Sequence, residues 1–159
     1  MDYKFLEKTK GLLIVLCGPP GSGKTTLAHK IVDKYKDFII ISPDEVREEL
    51  TGDIKDQSRN QEVFDIVYKR MITYLKNGFN VIYDATNCRS TYRIRILDVV
   101  SKLASNIICF VSTAPISECL KQNSERNYNV PEHVIERMYF TLRKHPPTIF
   151  EGFDMIIKF

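Results

Sequence analysis

The chain has 159 residues, of which 43% are hydrophobic and 27% charged, proportions that exclude a disordered or fibrous protein. Its formal charge of +3 permits a polyanionic partner without requiring one, because nucleic-acid binding depends on where the basic residues cluster. Cys17, Cys88, Cys109 and Cys119 have neither C-x-x-C spacing nor a histidine in metal-ligand register, which argues against a zinc site and for free thiols in a reducing compartment.

No repeat, low-complexity tract or linker divides the sequence, so a single domain over residues 1–159 is expected. The N-terminus lacks an apolar leader and the run at 12–17 is too short to span a bilayer; the expected location is cytoplasmic. That run, Leu-Leu-Ile-Val-Leu-Cys, is stopped by glycine and proline and predicts a strand buried on both faces. A helix is predicted over 25–35, with Leu27, Ile31 and Val32 on one face. Residues 38–41 predict a second buried strand. A short helix over 44–50 follows, with Ser42 as N-cap and Pro43 at the first helical position. Over 58–76, Val63, Val67, Met71 and Leu75 recur at helical spacing, and Asn77-Gly78 supplies the stop. Residues 80–83 predict the third strand, 90–104 a helix, 106–111 the fourth strand and 115–127 another helix. Pro131 opens a helix reaching about residue 143, and 153–159 reads as the last strand.

Between the first strand and the first helix stands Gly18-Pro19-Pro20-Gly21-Ser22-Gly23-Lys24-Thr25, which satisfies G-x-x-x-x-G-K-[ST] at every required position. Glycines free the backbone to aim successive N–H groups at phosphate oxygens, and the helix starting near Lys24 adds its positive end. Gly18, Gly21, Ser22, Gly23, Lys24, Thr25 and the adjacent Thr26 are therefore the candidate ATP-binding residues, with Lys24 on the β- and γ-phosphates and Thr25 on Mg²⁺. Strands alternating with helices around such a loop predict an α/β fold of the P-loop NTPase type. Its parallel β-sheet is flanked by helices on both faces, and residues 116–131 form a small helical lid.

The remaining candidates lie at predicted strand ends and loops. No N-K-x-D base-recognition motif of GTPases is present, which leaves small kinases. Asp44 follows the second strand, where a carboxylate can accept a proton from an attacking hydroxyl; Arg47, three residues on, shares its face and can hold an anion. Equally, Asp44 can be a helix N-terminal charge and Arg47 a surface residue. Asp84 ends the third strand as a Walker B acid would, facing Mg²⁺, or is a polar strand end. Thr86, Asn87 and Arg89 follow in a loop as candidate acceptor contacts. Arg126, placed at the end of the 115–127 helix on a mobile hairpin, can swing onto the phosphates or can pair with the helix dipole. Arg89, Tyr92, Arg93 and Arg95 can form a basic, aromatic track for a single strand, or a solvated helix face with one buried tyrosine.

Taken together, these segments resemble the kinase domain of polynucleotide kinases, of the bacteriophage type and of bacterial and animal kinase-phosphatases. The matching pieces are residues 18–26, Pro43-Asp44-Glu45-Val46-Arg47, Asp84-Ala85-Thr86-Asn87, the lid stretch 119–126 with Val130-Pro131, and Pro147-Thr148-Ile149-Phe150-Glu151-Gly152-Phe153. The resemblance covers about residues 11–159. It implies that Asp44 is the general base for a nucleic-acid 5′-hydroxyl and that Arg47 contacts the phosphate on the 3′ side of the acceptor nucleotide. Lys24 and Arg126 embrace the transferring group, and Thr25 holds the metal. In one departure, Gln122 stands where many family lids carry a second arginine. The implied activity is ATP-dependent phosphorylation of a hydroxyl, most naturally a polynucleotide 5′-end. The alternatives are a small hydroxylated metabolite or nucleoside as acceptor, or an ATP-binding regulatory module.

Overall fold

The central strand is apolar on both faces because it is covered on both. The computed structural model describes residues 3–159, and their order is β1 (Leu12–Cys17), α1 (Lys24–Lys34), β2 (Phe38–Ile41), α2 (Pro43–Thr51), α3 (Asn60–Lys76), β3 (Asn80–Tyr83), α4 (Ser90–Val100), β4 (Asn106–Val111), α5 (Ile116–Ser124), α6 (Glu132–Lys144) and β5 (Met155–Lys158). The strands make one parallel sheet in the order β2-β3-β1-β4-β5, with Val15 of β1 opposite Tyr83 on one side and Cys109 on the other. Alternate residues of β1 enter separate cores. Leu12, Ile14 and Leu16 pack with Ala28 and Ile31 of α1 and with Leu6. Leu13, Val15 and Cys17 pack with Val63, Val67 and Met71 of α3 and with Ile96 and Val100 of α4. Each such side chain contributes on the order of 1.5–3 kcal/mol on burial.

The parallel order sends the carboxyl ends of β1, β2 and β3 to one edge of the sheet, where α/β ligand sites form. Local chemistry fixes the first turns there. Ser42 Oγ accepts the Asp44 backbone N–H at 3.2 Å, with Pro43 inside the first turn, so α2 starts on the spot and presents Asp44. The predicted α/β architecture and its helices on both faces are thus found, and four of the five strands have the expected limits.

Several boundaries differ for identifiable reasons. The 58–76 helix begins at Asn60, because Asp56 Oδ1 takes the Ser58 N–H in a preceding turn. The 90–104 helix ends at Val100, followed by a tight turn in which the Leu103 N–H reaches the Val100 carbonyl. The last strand starts at Met155, since Phe153 turns into the core and Asp154 Oδ2 caps the Ile107 N–H at 2.7 Å. The 115–127 helix stops at Ser124, which puts Arg126 in a turn beyond it. Short 3-10 turns at Lys4–Leu6 and Ile149–Glu151 were not expected. All four cysteines are free and buried. Among the described residues, no helix is long and apolar enough to cross a membrane.

Candidate active site

The loop between β1 and α1 is tight enough to dictate its glycines. The Gly18 N–H donates to the Thr86 carbonyl at 2.8 Å, and a Cβ at Gly18 would lie 2.5 Å from Ser22 Oγ. Gly21 has φ +75°, and a Cβ there would collide with the Cys119 carbonyl of α5. Gly23, at φ +86°, precedes the first residue of α1. Ser22 is held from below, its carbonyl accepting the Ser112 hydroxyl at 3.1 Å. Thr26 lies with Ser22, Gly23, Lys30 and Gln122 on a neighbouring groove of about 340 Å³. There the Gln122 amide donates to Glu118 Oε1 at 2.7 Å, so its polarity is spent within α5.

Lys24 is buried, and its ammonium folds back onto its own loop, donating to the Pro19 carbonyl at 2.8 Å and to Ser22 Oγ at 3.4 Å. Burial pulls its pKa below the usual lysine range, and the Arg126 charge adds to this, while Asp84 opposes it. A positive charge short of negative partners is what a phosphate relieves. Beside it the Thr25 hydroxyl donates to Asp84 Oδ2 at 2.7 Å. A hydroxyl and a carboxylate are hard oxygen donors that suit Mg²⁺, a cation that takes few protein ligands and completes its shell with water and phosphate. Among the described residues no group of three or more His, Cys, Asp or Glu could hold a metal.

These residues open onto one cleft of about 1160 Å³, walled by Lys24, Thr25, Asp84, Asp44, Arg47 and Arg126. Across it from the P-loop, Arg47 Nη1 meets Asp44 Oδ1 at 2.7 Å and Nη2 meets Asn60 Oδ1 at 3.0 Å. Arg47 is 5% exposed and its Nε is buried without a hydrogen-bond partner, whereas the Asp44 side chain is 55% exposed. An orphan guanidinium N–H costs free energy that a bound anion recovers. Asp44 Oδ2 accepts a 3.3 Å hydrogen bond from the Tyr128 hydroxyl.

Thr86 is on the cleft wall, but the structure does not bring Asn87 or Arg89 there. Asn87 is buried at φ +47°, its amide donating to the Leu16 carbonyl at 2.7 Å, so it shapes the loop instead of facing an acceptor. Arg89 is exposed and lies over the Tyr92 ring, 5.7 Å from its centroid. Of the four residues offered as a basic track, Arg93 drops out, and the buried tyrosine of the alternative is not found either. Arg93 is fully buried and paired with Glu151 at 2.6 Å, while Tyr92 is 52% exposed. The expected mobile hairpin is likewise pinned, because Asn123 donates to the Val130 carbonyl at 2.9 Å and accepts the Val130 N–H at 3.0 Å.

Other contributors carried no recognisable signal. Tyr128 is one aromatic in a polar turn, and Asn60 reaches Arg47 only because α2 and α3 pack together. Glu45 lies on the cleft wall, where burial pushes its carboxyl pKa up and the Asp84 charge adds to it. Its place beside Asp44 in the first turn of α2 was the one available hint.

Residues 13–145, most of the chain, match the family model described as an AAA domain. The chain belongs to that family. It is 30% identical over 132 residues to the L-seryl-tRNA(Sec) kinase of Methanococcus maripaludis, matching 80% of this chain and 51% of that protein. Among solved structures it is similar to a chain of the Pnkp1/Rnl/Hen1 RNA repair complex, with a TM-score of 0.78 and 24% identity over 96% of this chain and 49% of that one. A gluconokinase from Sinorhizobium meliloti 1021 superposes with a TM-score of 0.61 and 15% identity, over 95% of this chain and 83% of that one. The chain spans about half the length of the curated relative. This AAA-domain chain thus has the fold of P-loop kinases.

Proposed function

We propose that the chain is an ATP-dependent kinase that transfers the γ-phosphoryl group to a hydroxyl, with the 5′-hydroxyl end of a polynucleotide as acceptor. The observation that carries this reading is the Asp44–Arg47 pair: an exposed carboxylate facing the P-loop across one cleft, beside a buried arginine whose Nε lacks a partner. Asp44 takes the proton as the acceptor oxygen attacks the γ-phosphorus and ADP leaves. Arg47 binds an anionic group next to the reacting hydroxyl, and a polynucleotide offers one in the phosphate following its first nucleoside. Lys24 exchanges the Pro19 carbonyl for phosphate oxygens, and Arg126 adds charge to the transferring group from the lid. Mg²⁺, held on the Thr25 and Asp84 side, would neutralise charge between the β- and γ-phosphates.

The seryl-tRNA(Sec) kinase relative favours a second reading, in which the acceptor hydroxyl belongs to a small group, free or joined to RNA. The deciding experiment incubates the protein with γ-labelled ATP, Mg²⁺ and, in parallel, 5′-hydroxyl DNA, 5′-hydroxyl RNA, seryl-tRNA, a nucleoside and gluconate. The expected outcome is end label on an oligonucleotide that Asp44→Ala abolishes. Label on the small hydroxyls alone selects the second reading, and ATP retention with no acceptor used makes the chain a binding module.

A further inference from the structure

We infer that Tyr128 is a gate on Asp44: its hydroxyl takes the place on Oδ2 that an attacking hydroxyl must take, so that water has to compete with it there and an acceptor has to displace it. The inference rests on the reading of Asp44 as the base. Both carboxylate oxygens are engaged, Oδ1 by Arg47 Nη1 at 2.7 Å and Oδ2 by the Tyr128 hydroxyl at 3.3 Å. The two bonds differ in kind. The first is short and charge-assisted, and the second is long for an O–H···O contact, which normally falls near 2.7–2.8 Å. A weak bond from a hydroxyl is the group chemically closest to an alcohol acceptor, and it is the one that an acceptor can replace.

The phenol is delivered there by a fixed turn. Asn123, 3% exposed, ties both polar groups of Val130, closing the six-residue turn that carries Arg126 and Tyr128. The Tyr128 ring is half-buried, and burial, followed by the Asp44 charge, pushes its pKa upward, so at neutral pH it remains a proton donor. An Asp44 carboxylate whose Oδ2 made no bond to Tyr128 would serve water as readily as an alcohol. Water oxygen would then bond to the γ-phosphorus, the bond to ADP would break, and the proton would pass to Asp44. The phenol competes with water for Oδ2, which lowers this hydrolysis without blocking the cleft.

The test measures ADP release in ATP and Mg²⁺ without acceptor, for wild type, Tyr128→Phe, Asp44→Asn and the double variant. Phenylalanine keeps the ring and removes only the hydroxyl, and thermal melting confirms that each variant folds. Tyr128→Phe should hydrolyse ATP about three- to ten-fold faster, and KM for a 5′-hydroxyl oligonucleotide should fall by a similar factor, because a competing occupant has been removed. In the Asp44→Asn background the increase should vanish. Equal or slower hydrolysis by Tyr128→Phe, including none in either protein, overturns the gate, as does an increase that survives Asp44→Asn. Label from γ-labelled ATP on Tyr128 itself also overturns it, since the phenol would then be an acceptor. If no oligonucleotide is phosphorylated, the polynucleotide reading fails while the acceptor-free rates still decide the gate.

Discussion

The Thr25 hydroxyl donates a 2.7 Å hydrogen bond to Asp84 Oδ2, joining the start of α1 to the end of β3 across 59 positions of sequence. The pair exists because β1 and β3 are neighbours in a parallel sheet, so their following loops share one edge. The two side chains satisfy each other, and in the proposed function they would turn jointly toward a cation.

Thr25→Val and Asp84→Asn should each lower phosphotransfer by about 10- to 100-fold, the range typical for groups that orient a metal. The loss should be partly reversed by raising Mg²⁺, as read in a metal titration of the initial rate. Equal rates at every Mg²⁺ concentration would remove both residues from the metal side.

Lys24→Met should separate stability from function. The ammonium is buried and its pKa is depressed, so the folded protein bears a desolvation cost that methionine removes. A gain of about 1 kcal/mol would raise Tm by roughly 2–4 °C in a chain of this size, while ATP binding is lost. The pH dependence has a definite sign. Between the lowered folded-state pKa and the ordinary lysine value near 10.4, the unfolded chain binds more protons than the folded one, so the wild type gains stability as pH rises through that window. The advantage of Lys24→Met should narrow there, as read by melting at a series of pH values.

Arg93 should behave as a structural staple. Its guanidinium bonds Glu151 twice and also reaches the carbonyls of Asn87, Cys88 and His145, tying the loop after β3 to the segment before β5. Removing one partner of a buried pair strands the other, so Arg93→Met should cost about 3–5 kcal/mol in denaturant unfolding. Arg93→Met combined with Glu151→Leu should cost less than the single change. If the single variant unfolds like wild type, the staple carries nothing.

Asn123→Ala should release the turn that presents Arg126 and Tyr128. Two bonds to Val130 are lost, and partly buried backbone groups are left unpaired, at about 1–3 kcal/mol. The kinetic signature should be a fall in kcat larger than any rise in KM for ATP, since only the Asn123 side chain changes and the α5 backbone against Gly21 stays in place. A change confined to KM would argue that the turn is not part of the chemistry.

The fold was legible wherever one local rule governed a segment. The strand at 12–17 followed from unbroken apolar sequence, α3 from Val63, Val67, Met71 and Leu75, and the P-loop from residue types that its backbone geometry demands. Asp44 was placed by its cap, because Ser42 and Pro43 start α2 where they stand. What escaped depends on distant partners. Arg93 reads as a surface arginine until Glu151, 58 positions away, is known to meet it, and Asn87 reads as a loop donor until the Leu16 carbonyl claims its amide. The turn at 125–130 reads as mobile because a clamp made by one asparagine leaves no periodic trace.

The close seat of Gly21 against the Cys119 carbonyl ties the nucleotide cradle to the root of α5. Replacing α5 would therefore carry a docking condition: the incoming helix must bring its backbone as close to Gly21 at that point, or the graft will pry open the loop it packs on. The two parts are one mechanical unit as far as Ser124, where α5 ends.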